Sequence, residues 1–299
     1  MIRLLPERHA LPVLIAASVL WGLIWLPLKT FHAQGVHGVP LLLVAYGGVG
    51  LLLAPVLWRQ RRQWHGEGSW LWLIVVLGGY ANLAFATALV YGDVVRSMVL
   101  FYLVPVWGVL GGRVFLGEVV TPLRWLAAGI AVLGAFLVLG GAAALASPPA
   151  WTDLVALSAG FAFAMNNVTF RATQGLPVAS KVAAMFAGCL LFAGAASLTG
   201  VQPWPSGIPA PVWGLLALFG VAWVLIATLG TQWGVTHLEA GRASVIIVTE
   251  LLTAVVSALI IAGERLAPME WVGAALILAA ALLEARPAPP PPAQARAPV

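Results

Sequence analysis

Charge is what this chain has least of. Asp, Glu, Lys and Arg make up 8% of its 299 residues, while 62% are apolar; ordinary soluble domains carry about 25% charged residues. A soluble fold could not cover so much apolar surface with so few charges. A single cysteine, Cys189, excludes an intrachain disulfide. Only two lysines occur, Lys29 and Lys181, and neither follows a glycine, so there is no P-loop and no ATPase in this chain. HExxH and CxxC are absent and the five histidines are scattered. That argues against a metal enzyme and leaves no cofactor to expect. The formal charge of +5 does not point to nucleic acid, because the basic residues sit between apolar runs, where membrane topology places them.

What is present is apolar sequence in membrane-sized lengths. One helical crossing takes roughly 20 mostly apolar residues. Such stretches fall at Ala10–Phe31, Val39–Leu57, Trp70–Val90, Val94–Phe115 and Pro122–Gly141, then at Trp151–Phe170, Val178–Leu198, Val212–Thr236, Arg242–Ala262 and Met269–Leu283. The first is too long for a signal-peptide core and lacks a small-residue cleavage site after it, so it reads as a membrane helix. The expected fold is an all-α membrane protein of ten transmembrane helices.

The two sets of five read as copies. An offset of 146 pairs Asp93 with Glu239, Arg96 with Arg242, Gly117-Glu118 with Gly263-Glu264, Pro122 with Pro268 and Trp125 with Trp271. Gly108, Gly111 and Gly112 then fall on Ala254, Ser257 and Ala258, small residues whose spacing lets membrane helices approach closely. A weaker register, offset by 142, sets Gly22 on Ala164 and Lys29 on Arg171. With five crossings per copy, the second copy must enter the membrane upside down, giving an inverted repeat. The expected domains are residues 1–142 and 150–285, followed by a Pro-rich, disordered cytoplasmic tail at 286–299.

Basic residues test this topology independently. With a cytoplasmic N-terminus, twelve fall inside: Arg3, Arg8, Arg59, Arg61, Arg62, Arg113, Arg124, Arg171, Lys181, Arg242, Arg286 and Arg296. Three fall outside: Lys29, Arg96 and Arg265. The imbalance follows the positive-inside rule and places both termini in the cytoplasm.

Polar side chains within apolar segments mark helices that face a cavity or a partner. The fifth and tenth segments have none in their central parts and should pack peripherally. The other helices differ. The first carries Ser18, Trp21 and Trp25 on one face, the third Tyr80, Asn82 and Thr87, and the fourth Ser97, Tyr102 and Trp107. The sixth has Asn166 and Asn167, the eighth Thr228 and Gln232, and the ninth Thr249, Glu250 and Thr253. Trp21, Trp25, Tyr80, Phe85, Phe101, Tyr102 and Phe163 could build an aromatic wall for a flat ring or a cation. The plainer reading of all these is interhelical hydrogen bonding, worth about 0.6 kcal/mol each in membranes. Trp70, Trp72, Trp151 and Trp213 sit at segment ends and belong to the interface belt. Glu250 is the one acidic residue deep inside an apolar segment, so it must be protonated, hydrated or paired with a cation.

The stretch YGDVVRSMVLFYLVPVWGVLGGRVFLGEVVTPLRWLAAGIAVLGAFLVL, from Tyr91 to Leu139, resembles the EamA-like domain of the drug/metabolite transporter superfamily. Gln232 to Leu283 repeats the pattern, with LTAVVSALIIAGERLAPMEWVGAALIL. The resemblance covers almost the whole chain. It implies ten helices in two inverted EamA repeats and transport by alternating access about a midplane cavity. Leu251 stands after Glu250 where the family often has a proline, which puts a proline hinge in the ninth helix in doubt; Pro105 is kept in the fourth, and it and Pro27 should kink their helices. The aromatic content is similar to that of the YddG-type exporters of aromatic amino acids.

The reading is a multi-pass inner-membrane exporter of small organic solutes, amino acids or related metabolites, and not an enzyme. Its partners are a small-molecule substrate and the bilayer, with a monomer as the transport unit. Eleven residues are candidates for contact with solute: Trp21, Trp25, Tyr80, Asn82, Phe101, Tyr102, Phe163, Asn166, Asn167, Thr228 and Glu250. A sugar-phosphate carrier fits less well, because no lysine or arginine lies mid-membrane to meet a phosphate. A membrane assembly protein without transport is the rival from another class; it predicts no solute-dependent stabilisation. A reporter that is active only outside the cytoplasm, fused to the C-terminus, should stay silent; a strong signal would overturn the ten-crossing topology.

Overall fold

The computed structural model describes residues 9–64, 66–146, 148–200, 202–263 and 267–285. The tail at 286–299, the second Gly-Glu carboxylate Glu264, and Arg3, Arg8, Arg265, Arg286 and Arg296 of the charge tally lie outside them. The described residues contain no strand, and their helical segments line up as ten rods. Seven are long and apolar enough to cross a membrane. They are α1 (Ala10–Ala33), α2 (Gly38–Gln63), α3 (Gly68–Tyr91), α4 (Arg96–Leu116), α7 (Val178–Leu198), α8 (Ala210–His237) and α9 (Ala240–Ile261). The others are α5 (Pro122–Val138), which is apolar but short, α6 (Trp151–Ala172) and α10 (Pro268–Ala285). Polar residues at Asp153, Asn166, Asn167 and Arg171 lower the hydropathy of α6, and Glu270 and Glu284 stand near the ends of α10. Of the ten expected crossings, length and composition alone therefore support seven.

Equivalent helices of the two halves meet antiparallel, which is what an inverted repeat demands. Ser180 at the start of α7 bonds Gln60 and Trp64 at the end of α2, while Gln202 beyond α7 accepts from Val39 N at the start of α2. Gly108 of α4 meets Ser244 of α9, and Gly112, one turn on, meets Ala240, one turn back. On the third pair, Gly134 of α5 and Gly273 of α10 lie backbone to backbone, and Arg124 at the start of α5 faces Glu284 at the end of α10 across 3.8 Å. The remaining contacts are exchanged: α1 packs on α8 and α9 of the second half, and α6 packs on α3 and α4 of the first. Gly117 and Gly263 end α4 and α9 with nearly the same left-handed backbone, φ 65° and 67°. That conformation suits glycine, which explains the first residue of the Gly-Glu pair.

The buried core is largely alanine, glycine and aliphatic side chains, because lipid offers no hydrophobic drive between helices and close packing must serve instead. The expectation for α5 and α10 holds: they pack on each other through glycine and alanine, and Leu126, Leu133, Val272 and Leu282 face outward. The tightest crossing joins α3 to α7, where a Cβ on Gly188 would collide with the carbonyl of Val75. Replacing Gly188 by Ala should therefore destabilise the protein by about 1–3 kcal/mol. Gly129→Ala, at an outward position with open space, should be neutral or gain about 0.5–1 kcal/mol in helix propensity. Unfolding in detergent micelles checks the contrast, and equal effects would refute the close-approach account.

Candidate functional site

Three rods are interrupted within the apolar layer. The rod of α4 begins ahead of its membrane-length span, as the helix Val94–Phe101, stops at Tyr102 and Leu103 and resumes as Val104–Leu116, where Pro105 has no N–H to give. In α1 the interruption falls at Leu23 and Ile24, ahead of Pro27. In α9 it falls at Val248 and Thr249, between Ala240–Ile247 and Glu250–Ser257. Tyr102 maps onto Val248 under the offset of 146, so the two repeats break at one register. The α9 break forms without the proline that the sequence lacks there. Thr249 N bonds Ile246 O at 2.9 Å and Leu251 N bonds Val248 O at 3.0 Å, both spanning three residues. The Thr249 hydroxyl also donates to Ile246 O at 2.7 Å. A hydroxyl competing for backbone carbonyls here accompanies the break that proline accompanies in α4.

The three breaks converge. Tyr102 Oη donates to Glu250 Oε1 at 2.5 Å, joining the break of one repeat to that of the other. Gly22, at the break of α1, lies against the carbonyl of Glu250, where any Cβ would clash. Gly160 of α6 plays the matching part on the other side, against the carbonyl of Phe101. Glu250 opens the first turn of its half-helix, where unpaired amides favour a negative charge. It is half-buried. Beside it the Phe101 ring stands 5.5 Å from Phe163, 4.3 Å from Phe85 and 5.6 Å from Tyr102, centre to centre.

The remaining candidates fall into separate groups. Trp21 and Trp25 of α1 reach across to the second repeat, with indole N–H groups on Thr231 Oγ at 3.1 Å and Ser257 Oγ at 2.9 Å. Trp223, which the sequence did not single out, bonds Leu20 O at 3.0 Å in the reverse direction. Between α6 and α8, Asn167 Oδ1 accepts from Gln232 Nε2 at 3.2 Å. Asn167 Nδ2, Gln232 Oε1, Thr228 Oγ1 and Asn166 Oδ1 are buried without a hydrogen-bond partner among the described residues. The Asn166 amide has only the sulfur of Met185, 3.9 Å away. Asn82 bonds the carbonyl of Gly78 in its own helix at 2.8 Å. Tyr80 stands apart from the Glu250 group, half-exposed, with its hydroxyl 2.7 Å from Ser158 and its ring against Phe192.

The two ends of the bundle differ. At one, Glu118 accepts from Ala240 N, the first amide of α9, with both oxygens at 3.0 and 3.1 Å, and faces Arg171 at 3.7 Å. Burial pushes the Glu118 carboxyl above the usual carboxylate range and Glu239 adds to this, while Ala240 N–H, Arg171 and Arg124 pull the other way. Arg124 bridges Glu239, and Arg171 and Gln174 both bond Thr236 O. Lys181 is fully buried nearby, its ammonium on Phe170 O, Thr173 O and Thr236 Oγ at 2.7, 3.1 and 3.3 Å. Its place in the charge tally gave no sign of this. At the other end, open spaces of about 380 and 530 Å³ lie along the second halves of α1 and α9. Among the described residues, no three His, Cys, Asp or Glu side chains group as a metal site would require.

The model of the EamA-like transporter family matches residues 9–140 and 150–285. Among solved structures, a chain described only as "Crystal structure of protein" is similar in fold, with a TM-score of 0.73 and 20% identity over 93% of this chain and 97% of that one. No curated protein matches. Two matched repeats spanning most of the sequence, on a bundle whose equivalent helices run antiparallel, are decisive: the chain belongs to the EamA-like transporter family.

Proposed function

We propose that the protein exports amino acids, neutral or aromatic, or closely related metabolites, by alternating access across an inner membrane. In this reading all ten rods cross the bilayer, both termini are cytoplasmic and the transport unit is a monomer. The observation that carries it is the Tyr102–Glu250 hydrogen bond at the meeting of three broken helices from both repeats. Broken backbone is tolerated at membrane depth only where protein buries it or water reaches it. A carboxylate held there meets either a proton or a solute ammonium group.

The neighbouring chemistry suits a solute with an apolar ring. Phe101 and Phe163 offer faces for stacking, and Trp21 stands on α1, whose break packs on that of Glu250. The buried Nδ2 of Asn167, without a hydrogen-bond partner among the described residues, is a donor suited to the solute's carboxylate. The breaks supply bending points, and the bonds around Glu118 tie the cytoplasmic ends of α4, α6 and α9 together. Membership of the aromatic amino-acid exporter branch is the finest form of this proposal.

Counterflow of labelled amino acids in proteoliposomes tests it. The parent should exchange at least one neutral or aromatic amino acid, and Glu250→Gln should fold normally yet lose about tenfold or more of the rate and its dependence on pH between 5 and 8. Tyr102→Phe should fall between the two. Parent-like transport by Glu250→Gln at every pH would make Glu250 structural. No exchange and no thermal stabilisation with any amino acid would favour the assembly-protein reading.

A further inference from the structure

Between the second halves of α1 and α9 runs an open groove, whose two spaces share Ile261. Its walls are Leu23 and Leu26 on one side and Leu252, Val256 and Ile260 on the other. Trp25 crosses between the walls to Ser257. At the outer end stand Lys29, Thr30 and Gln34. Lys29 is the one charged residue among those lining either space, and its Nζ lies 5.9 Å from the centre of the Trp25 ring, over the groove.

We propose that this groove is a lipid site that takes one acyl chain of an anionic phospholipid, with the phosphate against Lys29. Three properties converge on that occupant. The helical stretch after the break, Trp25–Ala33, has nine residues, roughly 13 Å of helix, close to the hydrocarbon depth of one leaflet, about 15 Å. The walls beside the break are mostly aliphatic, Leu23 and Leu26 facing Leu252, Val256 and Ile260, and suit an acyl chain. The rim presents the ammonium group of Lys29 and the amide of Gln34, which complement a negative headgroup. A lysine meets a phosphate as a point charge. The assignment stands whether or not the protein carries amino acids.

Native mass spectrometry of the full chain in detergent, with phosphatidylglycerol or phosphatidylcholine of identical acyl chains, tests the site. The parent should retain phosphatidylglycerol at least fivefold more than phosphatidylcholine. Lys29→Gln, at an exposed position that leaves folding intact, should reduce retention of phosphatidylglycerol to the phosphatidylcholine level. Val256→Trp, which fills the groove, should lower retention of both. Glycerol phosphate should not displace the lipid. Equal retention of both lipids by the parent, an unchanged preference in Lys29→Gln, or displacement by glycerol phosphate or by free amino acids would each overturn the proposal. The last two would make the groove a headgroup-only or a solute site. None of these outcomes depends on Glu250.

Discussion

The structure turns on one constraint: in hydrocarbon every backbone amide and carbonyl must find a partner inside the protein. A helix satisfies this automatically, and so the chain is helix almost throughout. Where it departs from helix, something must stand in. At the break of α4 proline removes the donor, and at the break of α9 the Thr249 hydroxyl and three-residue turns take up the carbonyls. Both breaks sit inside the bundle, against Gly22 and Gly160 of the opposite repeats. Because irregular backbone can exist only there, the chemistry gathers there as well: Glu250, Tyr102 and the Phe101 cluster share one place.

The same constraint explains why the repeats hold together through so little polar chemistry. Interhelical hydrogen bonds are weak in membranes, about 0.6 kcal/mol on average, so Trp21 on Thr231 and Trp25 on Ser257 orient α1 more than they bind it. Contact depends on glycine and alanine seams, of which Gly188 with Val75 and Gly220 with Ala45 are the tightest. Seams of this kind leave the ends to be fixed by charge. The Glu118 end is fastened by several groups from α4, α5, α6, α8 and α9, with Lys181 pinning α7 to the ends of α6 and α8. The Lys29 end has a groove in the corresponding region between α1 and α9.

The sequence alone determined the class of fold and its repetition, because both are written in one dimension. Apolar runs long enough to span hydrocarbon, basic residues between them and the 146-residue offset follow from composition and spacing, and the offset reappears as the shared break register of Tyr102 and Val248. The chemical oddity of Glu250 was legible for the same reason, since a carboxylate in an apolar run is costly wherever its helix packs. Tertiary structure decided which polar residues meet. Tyr102 and Glu250 are 148 residues apart, Trp223 and Leu20 are 203, and no periodicity along either segment joins them. The separation of Tyr80 from the Glu250 group, the caging of Lys181 and the break of α9 without proline were equally out of reach. Each depends on which neighbouring helix supplies a carbonyl, a hydroxyl or a gap, and that is fixed by how the rods cross in three dimensions, not by the order of residues along any one of them.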